Sequence, residues 1–413
     1  MAWSVRNLSF CTYHVANTLN RLPGNPSNKM NGLKVLSLQG MYFPSLPQSI
    51  QALQNLRTLL LEYCELEDVT AIKALEKLEM LSFLGSKIME LPGEIRNLSG
   101  LKLLDLSECS TLQRIPTEIL PSLSRLEELY MKGVFIKWEP SEGNREGVNP
   151  NLAELISLSH HLMALEVCVP NIEVLPKDLL FKNQIIKFQI FASEEGMYRD
   201  HFDLNGFRER TGYIFQNSLA LGRFVASDIA ECRMLRQLLQ ISEIIKLIEI
   251  KDLKNILNEL DQEGFTSLKV LSVFDSEAVE YVMDATSDEN PRAAFPILES
   301  LKVCRLNNLK EIYHGQFTEK SFGNLRSLML SGCSRLKNVI SLSIARVLVQ
   351  LQECRIESCN DMEEIIFKEV EDEETHDMIK FPQLTSINLS SLPRLIGFCT
   401  TVELVQPSLN LEV

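Results

Sequence analysis

Large apolar residues recur along the chain in the spacing Leu-x-x-Leu-x-Leu. Near the start this triplet returns about every 23 residues. Its five clearest copies are Leu33/Leu36/Leu38, Leu56/Leu59/Leu61, Leu78/Leu81/Phe83, Leu101/Leu104/Leu106 and Leu126/Leu129/Met131. The spacing predicts a short strand in each copy, with the three anchors pointing inward and the residues between them pointing outward. Because no copy can bury its anchors alone, we expect successive copies to stack.

The same triplet extends over most of the chain. One copy, Val5/Leu8/Phe10, precedes the first five. Nine more follow: Leu162/Leu165/Val167, Ile185/Phe188/Ile190, Gln216/Leu219/Leu221, Ile245/Ile248/Ile250, Leu268/Leu271/Val273, Leu298/Leu301/Val303, Leu325/Leu328/Leu330, Leu351/Cys354/Ile356 and Leu384/Ile387/Leu389. Of these fifteen copies, only the one with Gln216 lacks a full apolar set. The pattern predicts an α/β repeat fold, in which residues 1–413 form a single leucine-rich-repeat solenoid (horseshoe) of about fifteen units with a parallel concave β-sheet.

Two further positions repeat in step with the anchors. The position three residues after the third anchor holds Cys64, Cys109, Cys333 and Cys359. A small side chain there can turn inward to meet unpaired backbone groups; a metal or redox site is the alternative, but these cysteines lie in separate units. The position three residues before the first anchor holds Phe265, Phe295, Phe322 and Phe381, with Met30, Leu53, Leu75, Leu98 and Leu123 in earlier units. We expect this second set to form a hydrophobic spine that closes the core.

The segments that return from one strand to the next change character along the chain. Extended or turn-like returns are predicted where proline fixes φ and removes a donor, at Leu46-Pro47, Leu91-Pro92, Ile115-Pro116 and Leu175-Pro176. Helical spacing appears later, at Leu253, Ile256, Leu257 and Leu260, and nearly so at Ile229, Cys232, Leu235 and Leu239. We therefore expect a convex side that mixes short helices with irregular turns. Four stretches break the period and are predicted to be inserted surface loops: 139–151, 193–211, 284–294 and 368–377.

Composition and motifs narrow the function. The net charge is -14, which argues against nucleic acid as the main partner, and no apolar run approaches the roughly 18 residues of a membrane span. The ten cysteines form no Cys-x-x-Cys pair and no signal-peptide region precedes them, which favours a cytoplasmic protein with reduced thiols. The sequence has no phosphate-binding loop, metalloprotease motif, nucleophile elbow or kinase signature. We therefore predict no enzyme activity, no cofactor and no metal site.

The phrases between the anchors resemble a known family. They include "GLKVLSLQGM", "SLPQSIQALQNLRTLLLEYC", "ELPGEIRNLSGLKLLDLSECSTLQRIP" and "LSRLEELYMKGVFIKWE", followed later by "ELDQEGFTSLKVLSV", "FPILESLKVCRLNNLKEI", "LRSLMLSGCSRLKNV" and "FPQLTSINLSSLPRL". These phrases are similar to the repeat region of plant intracellular immune receptors of the coiled-coil, nucleotide-binding, leucine-rich-repeat class. The resemblance implies a recognition and autoregulatory module for effector sensing and defence. Its partner would be a pathogen effector, a guarded host protein or a receptor's nucleotide-binding domain.

The chain departs from that family by lacking its coiled coil and nucleotide-binding domain, so nucleotide binding is not carried over. The first triplet starts close to Met1 and "QPSLNLEV" (406–413) is similar to the opening of another unit, from which a truncated product is expected. Two alternatives to the immune role stay open: a general intracellular scaffold or adaptor, and a non-functional receptor fragment.

Candidate contact residues follow from the outward positions. On consecutive units these are Tyr63, Asp105, Glu128, Tyr130 and Lys132, with Trp138 in the extended unit. Aromatic side chains on a rigid sheet make good interaction hot spots. The alternative is that Tyr130 and Trp138 pack beneath the 139–151 insertion.

Overall fold

The computed structural model describes residues 32–140, 149–157, 161–175, 187–193, 217–260, 264–286, 295–315, 321–368 and 379–399, and the backbone of 404–405. The chain divides into two compact units: Met1–Phe191 with Tyr198–Phe202, and Ala192–Met197 with Asp203–Val413. The predicted Val5/Leu8/Phe10 copy lies outside the described residues, as does most of each predicted insertion. The described ends of the first insertion meet, because Glu139 and Asn151 form a parallel bridge. The division into about fifteen units and four insertions stays a prediction.

In the first unit, short strands follow the predicted anchors. They are β1 (Val35–Gln39), β2 (Tyr42–Phe43), β3 (Thr58–Glu62), β4 (Glu65–Leu66), β5 (Met80–Ser82), β6 (Leu103–Asp105), β7 (Glu128–Tyr130), β8 (Ala164–Val169) and β9 (Lys187–Ser193). The main parallel sheet of this unit has the order β1-β3-β5-β6-β7-β8-β9, and β2 pairs with β4 in a small second sheet. Its register aligns equivalent anchors: Leu36 lies opposite Leu59, and Leu59 opposite Leu81.

The second unit repeats the arrangement. Its strands are β10 (Ser218–Gly222), β11 (Ile244–Ile248), β12 (Val270–Phe274), β13 (Tyr281–Asp284), β14 (Ser300–Cys304), β15 (Glu311–His314), β16 (Ser327–Ser331), β17 (Asn338–Ser341), β18 (Glu353–Glu357), β19 (Glu364–Phe367), β20 (Ile379–Lys380), β21 (Ser386–Ser390) and β22 (Leu404–Val405). The main sheet has the order β10-β11-β12-β14-β16-β18-β21, while β13-β15, β17-β19 and β20-β22 are two-stranded. Repeated parallel strands with inward anchors confirm the leucine-rich-repeat solenoid.

The return segments combine short helices with turns, as predicted. The 3-10 helices are Gln48–Ala52, Thr70–Ala74, Gly93–Asn97 and Ile172–Val174; the α-helices are α1 (Ile119–Ser122), α2 (Leu152–Ser157), α3 (Ala226–Glu231), α4 (Arg233–Ile241), α5 (Ile256–Leu260) and α6 (Leu342–Val347). Pro47 and Pro92 each stand immediately before a 3-10 helix in extended conformation. The helical pattern around Cys232 forms two helices, because Cys232 is extended, with φ -74° and ψ 105°.

The core consists of the anchors and the two ladders predicted beside them. Leu59, Leu81 and Leu104 are fully buried, and each such side chain contributes about 1.5–3 kcal/mol of transfer free energy. The cysteine ladder turns inward as predicted: Cys64 Sγ donates to the Leu38 carbonyl at 3.5 Å, and Cys109 Sγ donates to the Phe83 carbonyl at 3.0 Å.

The phenylalanine spine is also present. The rings of Phe265 and Phe295 stack with centroids 5.6 Å apart, and the ring of Phe322 lies 5.6 Å from Phe295. All three rings are buried. The spine thereby closes the core between successive strands of the second unit, as the sequence predicts.

The predicted anchors of β11 were wrong in register. Ile245 lies opposite both Leu219 and Leu271, which makes Ile245 the second anchor and Leu247 the third. The first anchor slot holds Ser242, which is buried and donates its hydroxyl to the Leu238 carbonyl at 2.5 Å. The triplet Ile245/Ile248/Ile250 is fully apolar, whereas the triplet that forms has a serine in its first slot, so spacing alone selected the wrong one.

Candidate protein-binding surface

The outward positions of the first unit form straight rows across its strands. Strand register aligns a central row between the second and third anchors: Ser37, Leu60, Ser82, Asp105, Tyr130 and Glu166. A second row, before the second anchor, contains Val35, Thr58, Met80, Leu103, Glu128 and Ala164. Because neighbouring strands lie about 4.8 Å apart, each row presents closely spaced side chains on one face. We call these two rows the outward face.

One end of the outward face is acidic and aromatic. Asp105 lies opposite Tyr130, and Tyr130 lies opposite Glu166. The Tyr130 hydroxyl donates to Glu128 Oε2 at 2.6 Å, which fixes the ring two positions along the same strand. Asp105, Glu128 and Tyr130 are half-buried. The structure therefore brings these three predicted residues together; we call them the acidic–aromatic cluster.

The cluster carries concentrated negative potential. Burial raises the pKa of Tyr130 above its ordinary value, and the neighbouring carboxylates of Glu128, Glu166 and Asp105 raise it further. Burial also raises the pKa of Asp105, against the hydrogen bond that its Oδ1 accepts from the Ser107 N–H at 2.9 Å. Such a surface favours a cationic partner group that would relieve the mutual repulsion of the carboxylates.

Apolar side chains also lie on the outward face, interspersed with Ser37, Thr58 and Ser82. Val35, Leu60, Met80 and Leu103 are all half-buried, although they lie between the anchors. Side chains at these positions add nothing to the core, so their apolar character suits contact with another surface. Sequence reasoning missed these four residues because it selected polar and aromatic side chains, and it missed Glu166 because the candidate set ended at the extended unit that precedes β8. Their fixed offset from the anchors would have identified them.

Tyr63 lies apart from the cluster, immediately after β3. It is 57% exposed and has a left-handed backbone with φ 54°. Its ring covers Gly85, because a Cβ built on Gly85 would lie 2.4 Å from Tyr63 Cδ1. The glycine therefore gives the exposed ring a flat support on the neighbouring repeat.

Lys132 follows β7 and is half-buried, and its carbonyl accepts a hydrogen bond from the Glu108 N–H at 2.6 Å.

Trp138 requires a correction. It is only 3% exposed, and its indole N–H donates to the Cys168 carbonyl at 3.0 Å. Trp138 is therefore part of the interior and leaves the set of contact residues. Whether it packs beneath the 139–151 insertion stays a prediction, because residues 141–148 lie outside the described residues. The sequence could not reveal this, because the extended unit obscures the repeat register after Met131.

Within the described ranges, no group of histidine, cysteine, aspartate or glutamate residues has the arrangement of a metal site. None of the described helices has the length and apolar character needed to cross a membrane. The ladder cysteines Cys64, Cys109, Cys333 and Cys359 are buried free thiols. They act in the structure as small inward-turned side chains.

A family model described as plant disease resistance protein RPS2-like, leucine-rich repeats, matches residues 237–360. The match lies within the second unit and runs from α4 to the segment after β18. No curated protein matches the chain.

Solved repeat proteins resemble the chain at low identity. An internalin (inlF) from Listeria monocytogenes is 16% identical over 91% of this chain and 88% of that chain, with a TM-score of 0.38. A leucine-rich-repeat protein of Leptospira interrogans is 19% identical over 79% of this chain and 70% of that chain, with a TM-score of 0.41. The plant peptide hormone receptor RGFR1, solved in complex with RGF2, is 13% identical over 87% and 71% of the two chains, with a TM-score of 0.31.

Proposed function

We propose that the chain is a protein-recognition and autoregulatory module of plant intracellular immunity. Its repeat fold implies protein–protein recognition, and no catalytic family is indicated. The observation that carries the immune role is the match of residues 237–360 to resistance-type repeats. The protein would act in the cytoplasm on a pathogen effector, a guarded host protein or the nucleotide-binding domain of a receptor.

The acidic–aromatic cluster is the contact surface that we propose in the first unit. Tyr130 supplies aromatic area held by its bond to Glu128, and Asp105 and Glu128 supply charge. The adjoining apolar positions Leu60 and Leu103 extend the contact. A partner segment that suits this face combines apolar side chains with lysine or arginine. Tyr63 and Lys132 would lie at the rim.

The test uses the full chain and a separately purified nucleotide-binding domain from a resistance-type receptor. We expect a complex of defined stoichiometry in light scattering. The variant Asp105→Asn/Glu128→Gln keeps side-chain shape but removes two charges, and it should weaken binding by roughly tenfold because buried interfacial charges contribute strongly. The matched control Glu65→Gln/Glu90→Gln removes two exposed charges near the return segments and should bind as the original chain does.

Two outcomes would contradict the proposal. A monomer that ignores the receptor domain would remove the regulatory role and favour a general scaffold. Equal weakening in both double variants would show that only the net charge of -14 matters, and the acidic–aromatic cluster would lose its assigned role. Circular dichroism of each variant confirms that the fold is unchanged.

A further inference from the structure

The central outward row of the second unit has the opposite charge to that of the first. Register aligns Ala220, Lys246, Ser272, Lys302, Met329, Arg355 and Asn388 on the same face of successive strands. The row contains basic residues and no acidic ones, in a chain whose net charge is -14. We call it the basic row.

Basic residues beside the row are matched by carboxylates of neighbouring repeats. Lys269 Nζ lies 2.7 Å from Glu243 Oε1, and Arg305 makes a two-point contact with Asp275 that includes a 2.6 Å hydrogen bond. In contrast, Lys302 forms no ion pair within the part of the chain that the structure describes. Lys302 in the centre of the row is therefore left without the neutralisation found at its flanks, whereas Arg355 Nε in the same row lies 2.5 Å from Glu357 Oε1.

Two lysines of the basic row make cation–π contacts with the same aromatic ring. Lys246 Nζ and Lys302 Nζ each lie 5.3 Å from the centroid of the Phe274 ring. The two lysines belong to β11 and β14, which flank the strand of Phe274 on either side. Cation–π attraction holds both ammonium groups near one ring, where they repel each other. An anion placed there would relieve that repulsion.

A buried hydroxyl lies between the two lysines. Ser272 is opposite both Lys246 and Lys302 in the register. Its side chain is 0% exposed, and among the described residues its Oγ has no hydrogen-bond partner. A buried polar group of this kind gains a hydrogen bond when a ligand acceptor reaches it.

The spacing of the cations selects the ligand. Lys246, Lys302 and Arg355 occupy every second strand of the row, which separates them by about 10 Å at a strand spacing of about 4.8 Å. A peptide in the extended polyproline II conformation advances about 9 Å in three residues, at roughly 3.1 Å each, and returns every third side chain to the same face. A peptide crossing the strands would therefore present an acidic side chain to each cation if acidic residues occurred at every third position. A lone phosphate at the Phe274 ring would meet at most Lys246 and Lys302 and is too small to reach Arg355 as well.

We propose that the basic row binds an extended segment of a protein partner with carboxylates at every third residue. Lys302 would pair with one carboxylate and Lys246 with the next along the row, and Arg355 would exchange its contact with Glu357 for a third. The inference deepens the proposed protein recognition by naming the chemistry of one partner segment. It uses a surface in the second unit, separate from the acidic–aromatic cluster of the first.

The test measures binding of a capped peptide of repeated Glu-Gly-Ser units to the full chain by fluorescence anisotropy. Lys302→Met keeps the methylene stem and removes the charge, and it should weaken binding by roughly tenfold. Lys337→Met is the matched control, because Lys337 is 65% exposed and pairs with Glu363 at 3.6 Å on another face. That control should bind the peptide as the original chain does. An isomer with its glutamates in one block should bind more weakly than the spaced peptide.

Several results would overturn the inference: no peptide binding, equal weakening in the two lysine variants, or equal affinity for the two peptide isomers. Inorganic phosphate that binds as tightly as the spaced peptide would also overturn the choice of an extended ligand. Asp105→Asn/Glu128→Gln should leave peptide binding undiminished. This arm separates failure of the basic row from failure of the proposed receptor contact.

Discussion

Asp105 is a carboxylate in an environment that favours its neutral form. Burial raises its pKa, while hydrogen bonds from Ser107 and Ser82 oppose the shift. A carboxyl whose folded-state pKa is raised contributes stability below its ordinary pKa and loses that contribution as the pH rises through the raised value. At neutral pH the ionised Asp105 therefore lowers the stability of the fold, a condition that suits a residue awaiting a cationic partner.

We expect Asp105→Asn to raise the urea midpoint at pH 7, because the amide is neutral and can still accept from the Ser107 N–H. The gain should disappear as the pH falls below about 3.9, the ordinary carboxyl pKa, where Asp105 is protonated in both states. Asp68→Asn is the control of opposite sign, since bonds from Thr70 lower the pKa of Asp68. A midpoint unchanged or lowered at pH 7 in Asp105→Asn would contradict the assignment.

The regularity of the anchors decides which contact residues can be identified from the sequence. Asp105, Glu128 and Tyr130 were found because each stands at a fixed offset from regular anchors. Trp138 was misassigned because no anchor triplet fixes the register after Met131, and its indole hydrogen bond joins it to Cys168, distant in sequence. A long-range contact of this kind leaves no trace in local spacing.

At the scale of elements, the corner after each strand has a shared backbone conformation. A residue with positive φ follows most main strands: Gly40, Tyr63, Gly85, Glu108, Gly133, Arg223, Glu249, Asp275, Arg305, Gly332, Ser358 and Ser391. Several are not glycine, although the left-handed conformation costs roughly 1–2 kcal/mol for other residues. Hydrogen bonds to the next repeat offset that strain, as from the Ser358 N–H to the Ser390 carbonyl at 3.0 Å. Composition alone could not predict these corners, because the required backbone angle is imposed by the neighbouring repeat.

The phenylalanine spine is the element that we expect to be most sensitive to truncation. Phe295 is fully buried between the rings of Phe265 and Phe322. Phe295→Ala should lower the free energy of unfolding by about 3–5 kcal/mol, through lost burial and an unfilled cavity. Ile396→Ala, at a position that is 73% exposed, should change it by less than about 0.5 kcal/mol. Urea unfolding measures both, and a loss near 1 kcal/mol for Phe295→Ala would show that the spine repacks.

At the scale of the whole molecule, each repeat contacts its sequence neighbours in a regular order. Most ion pairs among the described residues follow the same rule: Arg57 pairs with Glu79, Lys269 with Glu243, and Lys337 with Glu363, each about one repeat away. The sequence predicts this organisation well, because the period of the anchors fixes both the strands and their order. It fails in β11, where the fully apolar triplet Ile245/Ile248/Ile250 is not used and the observed register places Ser242 in the first anchor slot.

Nearest-neighbour organisation predicts local rather than global effects of damage. Leu104→Ala removes a fully buried anchor of β6 and should increase amide hydrogen exchange in β5, β6 and β7. Exchange in β14, β16 and β18 of the second unit should stay unchanged, because those strands contact other repeats. Mass spectrometry of exchanged peptides measures both regions, and equal loss of protection in both would contradict the local model.

The inward cysteine ladder also provides natural probes of local opening in individual repeats. Burial raises the pKa of Cys64, and it raises the pKa of Cys109 to about 12, so neither sulfur reacts while its repeat is closed. When a repeat opens, its thiol meets solvent at an ordinary pKa and can be alkylated. Because Cys64, Cys109, Cys333 and Cys359 belong to different repeats, the order in which they acquire an alkyl group gives the sequence of opening events along the protein. The buried ladder thiols thus report local opening at known positions, and no added label is needed.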